Sequence, residues 1–203
     1  MCFEESPWPL QETWRRICHE HDEVIRFIDR QDVEEGDMMC KRWKKPPPGS
    51  INLVVDGSFR PVERCMGYGG IVRDDQGHWV FGFHGFQEGG NVLMSEALAL
   101  KTGLQLVWEK GYRNVVCNVD CRELLNSVND AESHRFLPIL EDIHAILLRP
   151  WTVVLANIDM EYNQPADWLA KTGASSHQSH WCMLHDPSSE LEIIIMSDCF
   201  AAF

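Results

Sequence analysis

The reading of the chain turns on Asn52-Leu53-Val54-Val55-Asp56-Gly57-Ser58. The apolar run reads as a buried strand over 51–56, with Gly57 and Ser58 marking its end. The run closes on an acid. A carboxylate at the end of a buried strand is tolerated when it is paired, hydrogen-bonded or bound to a metal. What the rest of the chain has to show is whether it brings other acids to the same place.

Downstream, Gly67 to Arg73 reads as a second strand and Asp74-Asp75-Gln76-Gly77 as a turn. His78 to Phe86 reads as a third strand, in which Gly82 and Gly85 either weaken the pairing or admit another backbone at close range. The short connections make an antiparallel meander. Asn91 to Lys110 carries the longest helical pattern, with Leu93, Ala97, Leu100, Leu104, Val107 and Trp108 as its stripe and Gly111 as its stop. Asn114 to Val119 is a strand ending at Asp120, and a helix follows from Arg122 to Val128. A helix over Arg135–Leu148, a strand over Trp151–Ile158 and a helix over Asn163–Thr172 complete the pattern. Three antiparallel strands followed by alternating helix and strand predict an α/β fold on a mixed sheet.

Residues 1–40 read as an acidic helical extension, with a helix near 11–30 that is either a leftover of a longer precursor or held by a partner. Cys18-His19-Glu20-His21 is a poor metal motif, because adjacent residues on a helix point to different sides. Residues 41–49, with Pro46-Pro47-Pro48, read as a basic linker in extended polyproline form. The core domain is expected over 50–174. A polar tail over 175–203 turns apolar at Leu191, Ile193, Ile194, Ile195 and Met196, as a short docking segment.

The 203 residues are 44% hydrophobic, enough for a sizeable core. The formal net charge of −13 does not favour phosphates, since non-specific nucleic-acid affinity comes from Lys and Arg. A carboxylate cluster that holds divalent metal contributes to such an excess. Eight scattered cysteines without a CxxC pattern point to a reducing compartment. No secretory signal pattern and no run of membrane-spanning length is present. The expectation is a soluble intracellular protein of nucleus or cytoplasm, with no membrane partner.

Four acids carry the chemistry. Asp56 is the first. Glu96 lies inside the apolar stripe of the long helix, three residues after Leu93 and four before Leu100. Its structural reading is a border residue or an Arg partner. Asp120 ends a buried strand, as Asp56 does; its structural reading is a cap for the next helix, its functional one a place at the strand ends where ligands gather. Asp167 lies in the early part of the last helix, after Asn163 as N-cap and Pro165 in the first turn, where the dipole alone favours an acid. Each has a dull explanation; the weight lies in the set. Hard divalent cations prefer carboxylate oxygens, and two such ions stabilise both the attacking and the leaving oxygen of phosphodiester cleavage.

With these residues in view, the chain resembles a known family from about residue 43 to 198. The hallmarks are the Pro-rich entry with Trp43, Val55-Asp56-Gly57-Ser58 and Gly69-Gly70-Ile71-Val72-Arg73-Asp74. Further on come Ser95-Glu96-Ala97-Leu98-Ala99-Leu100, Val119-Asp120-Cys121, and Asn163 to Ala170. Their ordered set resembles the ribonuclease H-like domain of plant retroelement-derived proteins. The resemblance implies a five-stranded mixed sheet, three strands antiparallel with parallel additions, flanked by helices. It implies hydrolysis of the RNA strand of RNA–DNA hybrids with two Mg²⁺ ions, or Mn²⁺ in their place. By motif match Asp56, Glu96, Asp120 and Asp167 would be the metal-binding catalytic carboxylates and a metal-activated water the nucleophile. Asn163 would shape the helix start beside Asp167.

The chain departs from the family in three places. Active relatives often carry a histidine about ten residues before the last acid, and the ungapped position here is Asn157. Cys121 replaces the serine that usually follows the third acid. The basic, Trp-containing protrusion of bacterial relatives has no counterpart, since Arg122 to Arg149 holds few cations and no tryptophan. No nucleic-acid-binding residue is singled out. The acidic net charge, Asn157 and the missing protrusion favour the rival reading of a catalytically weak or silent nucleic-acid-binding or protein-interaction module on the same fold. A third reading is a retroelement remnant without a present role.

His177-Gln178-Ser179-His180-Trp181-Cys182-Met183-Leu184-His185 is rich in soft-metal ligands, but its spacing matches no common zinc site. Trp43, Tyr68, Trp79 and Phe86 suit either base stacking or core packing, with packing the commoner use. His134 and His144 read as ordinary surface or packing residues.

Overall fold

The computed structural model describes residues 45–130 and 138–200. The helix expected near 11–30, the Cys18–His21 motif, Trp43, His134 and the expected start of a helix at Arg135 lie outside the described residues.

β1 (Ile51–Arg60) is the hub of the sheet. It runs antiparallel to β2 (Cys65–Arg73), which runs antiparallel to β3 (Trp79–Glu88). On its other side β1 runs parallel to β4 (Asn114–Val119), which runs parallel to β5 (Thr152–Asn157). The sequence stops β1 too early. Gly57 does not end the strand, which continues to Arg60 and pairs it with Cys65. Gly57 serves a close approach instead: a Cβ there would overlap the Ser95–Glu96 backbone.

The described residues form five α-helices around the sheet. They are α1 (Val92–Glu109), α2 (Arg122–Asn129), α3 (Ile139–Leu147), α4 (Gln164–Ser176) and α5 (Ser189–Phe200). The period-2 alternation of β1 splits them between its two faces. Leu53 and Val55 meet Gly103 of α1. Val54 packs with Ile71, Ala166 and Leu169 of the α4 side and with Leu191 of α5. Both faces are covered, so Ile51 to Asp56 is buried throughout. On the α4 side, glycines of β2 and β3 admit the helix. A Cβ at Gly67 would overlap the backbone of Ala170 and Ala174, and Gly173 lies against the backbone of Gly85. Gly82 instead makes room for the Trp79 ring.

Two further expectations are corrected. The sheet has six strands rather than five, in the order β5-β4-β1-β2-β3-β6. The sixth, β6 (Cys182–Leu184), adds antiparallel to β3 through Gly82, Phe83 and His84. Three residues are too few to show an alternation, so the tail gave no strand signal. The second correction concerns Pro47 to Ser50, which is a turn and not extended polyproline. Ser50 N–H donates to Pro47 O at 3.0 Å, and Gly49 has φ of 79°. The Gly49 N–H is anchored on Asp75 Oδ2 at 2.6 Å.

The aromatic residues pack. Tyr68 and Phe86 are buried, and Phe86 meets His177 edge-on. Trp79 rests on the Val54–Leu191 cluster and donates its Nε1–H to His185 O at 2.9 Å. His144 Nε2 is hydrogen-bonded to Val128 O at 2.7 Å. Among the described residues no helix is long and apolar enough to cross a membrane.

Candidate metal centre

The parallel pairing of β1, β4 and β5 ends at one line across the sheet, and the register sets what stands there. Val55 pairs with Val119, and Val119 with Asn157. Asp56 follows Val55 within β1 and Asp120 follows the last residue of β4, so two acids stand side by side where the parallel pairing ends. Glu96 comes to them from α1, because Gly57 lets that helix touch β1.

Oxygens of Asp56, Glu96 and Asp120 lie within 4.8 Å of one another. Asp56 and Glu96 are both only 5% exposed, so their charges are held away from water. Among the described residues this trio is the one group with metal-ligand proximity; the His177–His185 stretch brings no three ligand atoms together.

The dull explanations now separate. Among the described residues Glu96 has no Arg partner: the Gly57 backbone N–H supports one side of its carboxylate, and buried Oε2 has no hydrogen-bond partner. Asp120 does not cap α2, whose N-cap position is Cys121 and lacks a side-chain cap bond. Asp167 keeps its dull explanation. It lies in the first turn of α4 and pairs with Lys171 one turn on, Nζ to Oδ2 at 2.7 Å. It stands outside the close trio, although its charge is felt by all three members.

Asn163 occupies the N-cap position of α4, but its side chain does not cap the helix. It is fully buried and turned inward, where Nδ2 donates to Asp56 Oδ1 at 3.0 Å and reaches Val55 O at 3.4 Å. Its own Oδ1 is buried without a partner. Asn157 is exposed and donates Nδ2–H to Val119 O at 3.0 Å and to Asp120 O at 3.4 Å.

Electrostatics follow from this crowding. Burial, then the charges of Glu96, Asp120 and Asp167, push the Asp56 carboxyl from 3.8 up to about 9, against a lowering pull from Lys171. Burial and the neighbouring acids push Glu96 from 4.5 up to about 8, against the Gly57 hydrogen bond. Asp120 is raised by burial and by Asp167, while the Asn163 side chain pulls it down. Lys171 and the Gly57 N–H are contributors that sequence reading missed. The signal for the first was present, since Asp167 and Lys171 are spaced i, i+4 on a helix.

The donor set fits a hard divalent cation. It consists of carboxylate oxygens alone, includes an orphaned buried oxygen on Glu96, and concentrates charge that no side chain within the trio neutralises.

The family described as reverse transcriptase-like matches residues 54–173. The chain belongs to that family. Its ribonuclease H-like domain therefore contains β1 from Val54 onward and α4 to Gly173, and with them the whole acid cluster. A candidate ribonuclease H protein of Arabidopsis thaliana is 27% identical over 130 residues, 63% of this chain. The matched stretch spans about a fifth of that relative, 21% of its length. Among solved structures, the N-terminal ribonuclease H domain of a Mycobacterium tuberculosis protein superimposes with a TM-score of 0.55 at 16% identity. The match covers 61% of this chain and 92% of that one. A ribonuclease H1 solved in complex with an RNA/DNA hybrid gives 0.54 at 18% identity, over 60% and 94% of the two chains. At these identities the likeness concerns the fold.

Proposed function

We propose that this reverse transcriptase-like domain is a metal-dependent endonuclease that hydrolyses the RNA strand of RNA–DNA hybrids. The observation that carries the reading is the convergence of Asp56, Glu96 and Asp120 within 4.8 Å where the parallel pairing of a ribonuclease H-like sheet ends. The hybrid bound by the solved relative supports the substrate class. The family and the Arabidopsis relative support a plant retroelement origin.

Asp56, Glu96 and Asp120 would hold Mg²⁺ or Mn²⁺, with Asp167 joining for a second ion once it leaves Lys171. Bound there, the cations would supply positive charge to the attacking and leaving oxygens of the phosphodiester. The chain's own residues set the conditions for that. Asn163 fixes the rotamer of Asp56, and the Gly57 N–H fixes Glu96. Burial keeps bulk water from screening the carboxylates. The proposed division of the chain is an extension over 1–40, a linker over 41–49, the nuclease domain over 50–174 and a tail over 175–203.

The test is cleavage of an end-labelled RNA–DNA hybrid across a Mg²⁺ and Mn²⁺ series, comparing the natural chain with Asp56→Asn and Asp120→Asn. Cutting by the natural chain and its loss in either variant are expected, since each removes a carboxylate that would hold the cations. Equal rates for all three would sink the enzyme. A silent binding module is the second reading. It is favoured by Asn157 at the place of the usual histidine and by the ion pair that occupies Asp167. It predicts hybrid binding with no cleavage at any metal concentration.

A further inference from the structure

The acid cluster stands in a chain of net charge −13, so any cation beside it matters for a polyanionic substrate. Arg122 is such a cation. It is exposed, it opens α2, and it is two residues beyond Asp120. A cation at a helix N-terminus opposes the dipole, so the helix gains nothing from an arginine there. Its Nε–H donates to Asn157 Oδ1 at 3.0 Å. Asn157 is itself pinned by Nδ2 to the carbonyls of Val119 and Asp120. The guanidinium is therefore tethered at the ends of β4 and β5, on the edge of the sheet from which Asp120 projects. Among the described residues Arg122 has no acidic partner, and its two Nη groups make no hydrogen bond.

We propose that Arg122 grips a backbone phosphate of the polynucleotide that lies across the acid cluster, and that Asn157 is its positioning residue. With Nε committed to Asn157, the Nη1/Nη2 edge is left as a two-pronged donor for phosphate oxygens. Asn157 stands where active relatives often carry a histidine, and in this chain it organises a cation from the neighbouring helix. The inference rests on the nuclease reading, because it needs a nucleic acid over the trio.

The test uses the full chain and a fluorescent 2′-O-methyl RNA–DNA hybrid in Mg²⁺, read by anisotropy over a salt series, beside cleavage of the unmodified hybrid. Arg122→Ala is expected to weaken binding about tenfold, as loss of a charged hydrogen-bond pair does. It should also lower the slope of log K against log salt by about 0.9, one phosphate contact. KM should rise with kcat nearly unchanged. Arg122→Lys should restore the slope and only part of the affinity, and Asn157→Ala should weaken binding with the slope intact. Thermal melting of each variant, matching the natural chain, excludes a folding defect. If the natural chain cuts the hybrid and Arg122→Ala binds it with the same affinity and slope, the grip is refuted and the nuclease stands. If the natural chain neither binds nor cuts, both readings fall together.

Discussion

Replacing Asp56 by asparagine should make the metal-free protein more stable, although it removes the acid around which the site is built. An ordinary aspartate ionises near 3.8, and this one holds its proton to about 9 in the folded state. Between those values the unfolded chain binds fewer protons than the folded one, so stability falls as pH rises through the window. Below 3.8 both states are protonated and the penalty vanishes. At pH 7 the folded chain is about three pH units above the ordinary value, at about 1.4 kcal/mol each, which gives a ceiling near 4 kcal/mol. Glu96 shares the same repulsion, so the two penalties overlap and do not add. Asparagine keeps the oxygen that accepts from Asn163 and removes the titration. A gain of about 2–4 kcal/mol at pH 7 in EDTA is expected, which for a chain of this size is roughly 5–15 °C in melting temperature. At pH 5 the gain should shrink to under about 2 kcal/mol. Mg²⁺ should reverse the ranking, since an ion at a hundred times its Kd stabilises the natural chain by about 2.7 kcal/mol and has lost a ligand in the variant. Thermal and urea unfolding at pH 5, 7 and 8, with EDTA or Mg²⁺, measure all of this. A variant no more stable than the natural chain in EDTA at pH 8 would refute the reasoning, as would a gain that fails to grow with pH.

Three further outcomes are expected. Gly57→Ala drives a methyl into the Ser95–Glu96 backbone, so urea unfolding should show a loss of about 1–3 kcal/mol or more, and cleavage should fall because Glu96 is displaced. Asn163→Ala leaves Asp56 Oδ1 and Val55 O without their buried donor. It should cost about 1–3 kcal/mol and raise the Mg²⁺ concentration for half-maximal cleavage. Leu191→Ala empties a fully buried position between α5 and the sheet and should cost about 2–5 kcal/mol by denaturant unfolding; a change below about 1 kcal/mol would mean that α5 detaches without consequence.

Much of the site was legible because its members violate local rules. Asp56 breaks an apolar run and Glu96 breaks an apolar stripe, and both prove buried without a compensating cation in the trio. Asp120 was legible only as a strand end; the register of β1 on β4 decides that it meets Asp56 and not the helix after it. Asp167 obeys every local rule, and its i, i+4 spacing to Lys171 signals the ion pair it makes rather than a place in the cluster. The course of β1 past Gly57 was misread because a glycine that ends a strand and one that admits a helix are written alike. Asn163 was placed correctly as an N-cap position, but the direction of its side chain depends on Asp56, 107 residues away.

The short β6 strand has a consequence for anyone who shortens this protein. The family similarity ends at residue 173, before Cys182. A fragment cut there would keep the acids and lose the outermost strand. Gly82, Phe83 and His84 would then present unpaired amides and carbonyls on a strand that also carries Phe81 and Phe86. An open, phenylalanine-rich edge is a template for other copies of itself. The trimmed domain is expected to self-associate through β3, along the edge that β6 covers in the longer chain.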